Sequence, residues 1–201
     1  MAGPEKILKV GLTGGIGCGK STVAGLFAEA GWSTLQTDAI VRDLLDQDRA
    51  VKSALYERWK KAVFQPDGAV DRKAIARRIF EDTAELSWLE GLLHPKVRKV
   101  WETSLQEAPD LHWLVEIPLL FEKKLETKFD FTICVESSPQ VVENRILLKG
   151  YSKTETRQRR QRQMSLEEKI RRSDYVISNS GSLEFLKLQT HRLNKQIQQS
   201  I

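Results

Sequence analysis

The sequence predicts an α/β protein of three layers, with helices on both faces of a five-stranded, mostly parallel sheet. Three observations predict it. Short apolar runs alternate with stretches of helical period, a glycine-rich loop joins the first run to a helix, and the segment from Asp38 to Pro109 has helical periodicity without a convincing strand. That segment reads as a helical insertion between the second and third strands.

The strand candidates are Ile7 to Leu12, Thr34 to Gln36, Trp113 to Ile117, Phe131 to Val135 and Tyr175 to Ser178. Each is short and mostly apolar, as strands buried on both faces of a parallel sheet are. A helix is expected from Ser21 to about Ala30, ended by Gly31. Within the insertion, apolar residues recur at helical spacing: Val51, Ala54, Leu55, Trp59 and Val63, then Ile75 and Ile79, then Val97, Val100, Trp101 and Leu105. Asp71 and Asp82 suit helix N-caps, and Pro66-Asp67-Gly68 suits a turn. The expected division is a nucleotide-binding core of residues 1–37, 110–144 and 173–201, the insertion 38–109, and a basic helical lid 145–172.

Bulk composition narrows the classes. A chain of 201 residues and 23.0 kDa suits one compact domain with an insertion. No apolar run approaches the roughly 20 residues needed to cross a bilayer, so no membrane association is expected. Met1 to Lys6 lacks the pattern of a secretory signal. Cys18 and Cys134 are the two cysteines, which excludes a disulfide framework and a paired-cysteine metal site and fits the reducing cytoplasm. A monomer is expected. The net charge of +5 is local: residues 145–172 hold ten of the 32 Lys and Arg against three of the 27 acidic residues. Such a stretch can bind a polyanion or close over nucleotide phosphates. Its only aromatic residue is Tyr151, so the interleaved rings of a single-strand binder are missing and no nucleic-acid partner is expected.

The chemistry centres on Gly14-Gly15-Ile16-Gly17-Cys18-Gly19-Lys20-Ser21-Thr22, which satisfies G-x-x-x-x-G-K-[ST] between a strand and a helix. With this loop the architecture is the three-layer P-loop NTPase fold. Glycines let successive N–H groups turn toward phosphate oxygens, and the helix adds its positive N-terminus. Lys20 suits the β- and γ-phosphates of ATP, and the Ser21 hydroxyl suits Mg²⁺. A guanine-reading Asn-Lys-x-Asp element is absent, and Trp113-Leu114-Val115-Glu116-Ile117-Pro118 offers Glu116 as the closest substitute for a metal-binding Asp. Small-molecule kinases need an acidic group after the second strand, an acceptor-binding insertion and an Arg-bearing lid, and all three are present. Asp38 is that acidic group, although an Asp before Ala39-Ile40-Val41 also suits a helix N-cap.

These residues, in this order, resemble the dephospho-coenzyme A kinase family along nearly the whole chain. Beside the loop, the resemblance rests on Asp38-Ala39-Ile40-Val41-Arg42, the run from Val70 to Phe80, Leu93-His94-Pro95 and Ile117-Pro118-Leu119-Leu120-Phe121-Glu122. It continues through Arg145, the run from Gln163 to Lys169, and Asp174 to Asn179. The resemblance implies phosphorylation of the ribose 3′-hydroxyl of dephospho-CoA by ATP, on a fold similar to nucleoside monophosphate kinases. It implies Asp38 as the general base, Arg42 on acceptor phosphate or nucleotide, and Arg145 and Arg159 on the transferring phosphoryl group. Arg72, Arg77, Ile79, Phe80 and the His94-Pro95 turn would shape the acceptor pocket, with Pro118, Leu119, Leu120 and Glu122 beside substrate. Asn179 resembles the family's adenine-side residue. Core packing competes at Ile79 and Phe80, helix termination at His94, and a left-handed turn at Asn179.

Three positions depart from the family pattern. Gln36 stands where an Asp is common, Lys149 where a second Arg often follows Arg145, and Cys18 where Ser is usual. The first weakens a shared carboxylate site, the second loses bidentate geometry, and the third predicts a loop sensitive to thiol reagents. A P-loop kinase for a nucleoside monophosphate or a shikimate-like hydroxyl, and a nucleic-acid-binding ATPase, are the rival readings.

Overall fold

A computed structural model describes residues 6–150 and 153–199. Residues 1–5 of the stretch read for a targeting signal, and Tyr151, lie outside them. Two compact units emerge, one made of Met1–Gln36 with Ala108–Ile201, the other of Thr37–Glu107.

The first unit is built on a sheet of β1 (Lys9–Gly14), β2 (Ser33–Gln36), β3 (Trp113–Glu116), β4 (Phe131–Glu136) and β5 (Tyr175–Ser178), in the order β2-β3-β1-β4-β5. All four pairings are parallel, rather than mostly so. The strand ends shift slightly from expectation because a ladder begins where its partner does. Lys9 pairs with Trp113 and Gly14 with Val135, so β1 starts after Ile7 and runs past Leu12. Chain segments on one side of β1 supply β2 and β3, and on the other β4 and β5. That reversal opens a crevice at the C-terminal end of β1, where α/β sheets bind ligands.

Helix α1 (Lys20–Glu29) and helix α9 (Leu183–Gln199) bury apolar faces in this unit. Leu12, Val23, Phe27, Ile133, Leu186 and Ile197 are almost wholly buried in one cluster, each such side chain contributing roughly 1.5–3 kcal/mol. Trp32 packs edge-on against Phe27 with ring centres 5.3 Å apart and donates its indole N–H to Asn194 Oδ1 at 2.8 Å. The basic stretch runs through three helices: Arg145 sits on α6 (Pro139–Leu148), followed by α7 (Lys153–Arg162) and α8 (Leu166–Arg172).

The second unit consists of α2 (Thr37–Gln47), α3 (Arg49–Trp59), α4 (Arg72–Glu81) and α5 (Thr83–Glu107) around a core of Leu45, Val51, Leu55, Trp59, Ile75 and Leu89. Asp71 accepts the Lys73 and Ala74 amides at the start of α4, and Asp82 accepts the Ala84 amide before α5. Asp38 is no N-cap, because α2 already begins at Thr37. Nor do His94 and Pro95 form a turn: both lie inside α5. A proline there removes one helical hydrogen bond and costs about 3 kcal/mol. Leu89, Leu93, Val97, Trp101 and Leu105 repeat every fourth residue along α5 and are all buried. At roughly 1.5–3 kcal/mol each, that stripe outweighs the break. Among the described residues, no helix is long and apolar enough to cross a membrane.

Candidate active site

At the end of β1 the backbone curls through Gly14 at φ +146°, Gly17 at φ +76° and Gly19 at φ +86°. A Cβ on Gly14 would run into the Val135 carbonyl oxygen, so the loop can lie against β4 only because no side chain stands there. Gly19 is the N-cap of α1, its carbonyl accepting from the Thr22 and Val23 amides, and the start of a helix is an anion-binding position. Lys20 is buried, and its ammonium donates to the Gly14 and Gly15 carbonyls at 3.2 and 3.0 Å. Ser21 and Thr22 follow, exposed in the first turn.

A recess of about 190 Å³ opens beside this loop, lined by Gly17, Gly19, Ser21, Thr22, Arg145, Lys149, Asn179, Gly181, Leu183 and Leu186. Arg145 Nη1 donates to Ser137 Oγ at 3.2 Å, and Nη2 to Asn179 Oδ1 at 3.2 Å. Asn179 Nδ2 donates to the Cys18 carbonyl at 2.9 Å. The fold therefore brings the loop, Arg145 and Asn179 together, with Lys149 on the same wall. Arg159 is half-buried on α7.

Cys18 corrects one expectation. Its side chain is buried in the core cluster of the sheet unit, and burial pushes its thiol above the ordinary value despite the Lys20 charge nearby. The sulfur belongs to the packing beneath the loop, away from reagents. Cys134, also buried, is pushed up to about 12 for the same reason.

After β3 the chain is held by long-range bonds. Thr13 Oγ1 donates to the Pro118 carbonyl at 3.3 Å, and the Lys169 ammonium donates to the same oxygen. Lys169 is wholly buried and also pairs with Glu122 Oε1 at 3.0 Å, which accepts the Met164 amide at 2.7 Å. Glu122 thus serves the junction with α8 rather than standing open to a substrate. Leu120 is fully buried against Gly11, a core residue, whereas Pro118 and Leu119 are half-buried. At the far ends of β2 and β3, Gln36 and the buried Glu116 lie side by side.

In the helical unit, Asp38 and Arg42 are exposed one turn apart on α2, on one helix face. Arg72 lies 3.6 Å from Asp46, and Arg77 is exposed. Ile79 packs against that unit's core, and Phe80 is half-buried. His94 Nδ1 lies 4.0 Å from Glu90 within α5.

The family profile of dephospho-CoA kinase matches residues 8–184. A dephospho-CoA kinase of Deinococcus radiodurans is 37% identical over 199 residues, covering 97% of this chain and 95% of that one. One from Aquifex aeolicus is 34% identical over 177 residues, covering 88% and 90%. A crystal structure of a Thermus thermophilus protein is 34% identical with a TM-score of 0.79, covering 94% of this chain and 97% of that one. This chain belongs to the dephospho-CoA kinase family. Dephospho-CoA kinases transfer the γ-phosphoryl group of ATP to dephospho-CoA, the last step of coenzyme A synthesis, and this chain is a phosphotransferase of that kind.

For a dephospho-CoA kinase, the curled loop and the N-terminus of α1 meet the first demand of the reaction, a fixed positive surface for ATP phosphates. Two residues of this unit escape sequence reasoning. Ser137 gives no local signal, since its partners lie at Arg145 and Asn179. Lys169 sits in a basic run and reads as a solvated charge, and its burial follows only from packing against the loop after β3.

Proposed function

We propose that the chain phosphorylates the ribose 3′-hydroxyl of dephospho-CoA through Lys20, Asp38 and the arginines of α2, α6 and α7. The observation that carries this reading is the Lys20 ammonium seated on the Gly14 and Gly15 carbonyls inside the curled loop. Those contacts hold a cation where β- and γ-phosphates would bind, and the carbonyls are weaker partners than phosphate oxygens.

Asp38 accepts the proton of the 3′-hydroxyl as its oxygen bonds to the γ-phosphorus. The bond from that phosphorus to the β–γ bridging oxygen breaks, and ADP leaves with the electron pair. In a loose transition state, positioning of the hydroxyl and neutralisation of phosphoryl charge outweigh proton removal. Lys20, Arg145 and Arg159 supply that neutralisation, and Arg145 also holds the nucleotide with Gly14 to Thr22 and Asn179. Arg42, Arg72 and Arg77 meet acceptor phosphates, while Phe80, His94, Pro118 and Leu119 flank the rest of dephospho-CoA. The Ser21 hydroxyl is a hard oxygen donor in the first turn of α1, and the described residues contain no group of three His, Cys, Asp or Glu able to cage a metal. That donor set fits Mg²⁺ held mainly by phosphates and water, which would neutralise the phosphate oxygens. The protein works as a cytoplasmic monomer, with no nucleic-acid or membrane partner.

Asp38→Asn tests the base. We expect kcat to fall on the order of 100-fold with the KM for ATP unchanged. Wild-type turnover would remove Asp38 from the mechanism.

A further inference from the structure

The Cys18 carbonyl is gripped from outside the loop. Asn179 Nδ2 donates to it at 2.9 Å, and Arg145 Nη1 comes within 3.5 Å. Because Asn179 Oδ1 accepts from Arg145 Nη2, both ends of the amide have partners of fixed type, which sets its orientation. Ser137 braces the pair. Its hydroxyl accepts from Arg145 Nη1 at 3.2 Å and lies 2.9 Å from the Asn179 carbonyl and 3.3 Å from the Cys18 carbonyl. A hydroxyl has one proton, and the shorter contact takes it, so Ser137 holds the Asn179 backbone while Asn179 holds Cys18. Both side chains are buried, at 3% and 5% exposure, so water competes little for these bonds.

The consequence is stereochemical. The Cys18–Gly19 peptide is trans, and in a trans peptide the C=O and N–H point in opposite directions. With its oxygen held by Asn179, its Gly19 N–H points away from Asn179. We propose that Asn179, braced by Ser137, is a positioning residue that aims the Gly19 N–H at a nucleotide phosphate oxygen and thereby couples the recess beside the loop to the phosphate cradle. Gly19 is the matching half of the device, since a Cβ there would collide with Asn179 Nδ2. The inference rests on the nucleotide reading of this site and extends the adenine-side role of Asn179 to the phosphates.

Calorimetric titration with Mg-ATP and with inorganic tripolyphosphate, which has no base, separates the two roles. Asn179→Ala should weaken both ligands by the same factor, about three- to tenfold for one lost hydrogen bond. Ser137→Ala, which keeps the Asn179 side chain, should weaken both less and in the same ratio, and it carries the test if Asn179→Ala folds poorly. In the wild type, the Gly19 amide should shift in ¹⁵N-resolved NMR when tripolyphosphate is added, and in Ser137→Ala that shift should shrink. Loss of ATP affinity with tripolyphosphate binding intact would mean a base contact only and overturn the proposal, as would no change for either ligand. A wild type that binds neither ligand overturns the nucleotide reading and this proposal together.

Discussion

The two units carry chemistry in different materials. In the sheet unit it lies in the backbone: Gly14, Gly17 and Gly19 adopt positive φ, and two of them leave no room for a Cβ beside Val135 or Asn179. In the helical unit it lies in side chains on regular helices, with Asp38, Arg42 and Arg77 exposed. A backbone cradle tolerates almost no change, whereas an exposed helix face accepts substitution with the fold intact. The sheet unit should therefore be brittle in function, and the helical unit graded.

Lys20→Ala is the severest test of that contrast. Removing the cation of the cradle should lower kcat/KM for ATP about 1000-fold, whereas Arg77→Ala on α4 should raise the KM for dephospho-CoA about tenfold and leave the KM for ATP unchanged. Equal and parallel effects on both substrates would erase the distinction between the units.

A smaller effect concerns the thiol beneath the loop. Iodoacetamide should leave Cys18 unmodified in the native, nucleotide-free protein and label it after denaturation, read by mass spectrometry, because burial hides the sulfur and pushes its pKa up. Rapid native labelling with loss of ATP binding would put the sulfur in the cradle after all.

The smallest effect is in the pH dependence of stability. In the helical unit, a hydrogen bond from Lys96 holds Asp48 below its ordinary 3.8, and Arg58 with Trp59 holds Glu85 below its ordinary 4.5. Groups with depressed folded values stabilise above those ordinary values and lose the contribution as pH falls through the folded ones. These pairs are partly exposed, so the acid loss is shallow. In the sheet unit Cys134 titrates the other way: raised from 9.0 to about 12, it stabilises fully below pH 9 and loses the contribution as pH rises toward 12. Thermal melts should show a mild acid decline and an alkaline decline, and Cys134→Val should make the alkaline one shallower while leaving the acid one unchanged, the buried Cys18 keeping its share of the alkaline loss.

What the sequence discloses follows the same division. The loop and the caps at Asp71 and Asp82 are legible because each depends on neighbours within a few residues, and the strands because each is a short apolar run, although their pairings, such as Lys9 with Trp113, are remote in sequence. The continuation of α5 through Pro95 is not, since the local rule for proline competes with a buried stripe whose partners are remote in sequence. Glu122 reads as a substrate contact because its partners, Met164 and Lys169, lie more than forty residues away. The inward face of Cys18 and the brace at Ser137 are equally non-local. In the helical unit Ile79 shows the ambiguity of a helical period, since the same spacing serves a core face and a ligand face, and packing against that unit's core cluster assigns it to the core.

The central claim is the acceptor. A panel that measures ADP release with dephospho-CoA, AMP, UMP and shikimate, and then locates the new phosphate by ³¹P NMR, tests it most directly. The account predicts turnover with dephospho-CoA alone and phosphate on the ribose 3′-oxygen. Turnover stimulated by a nucleoside monophosphate or by shikimate, with dephospho-CoA inert, would contradict it.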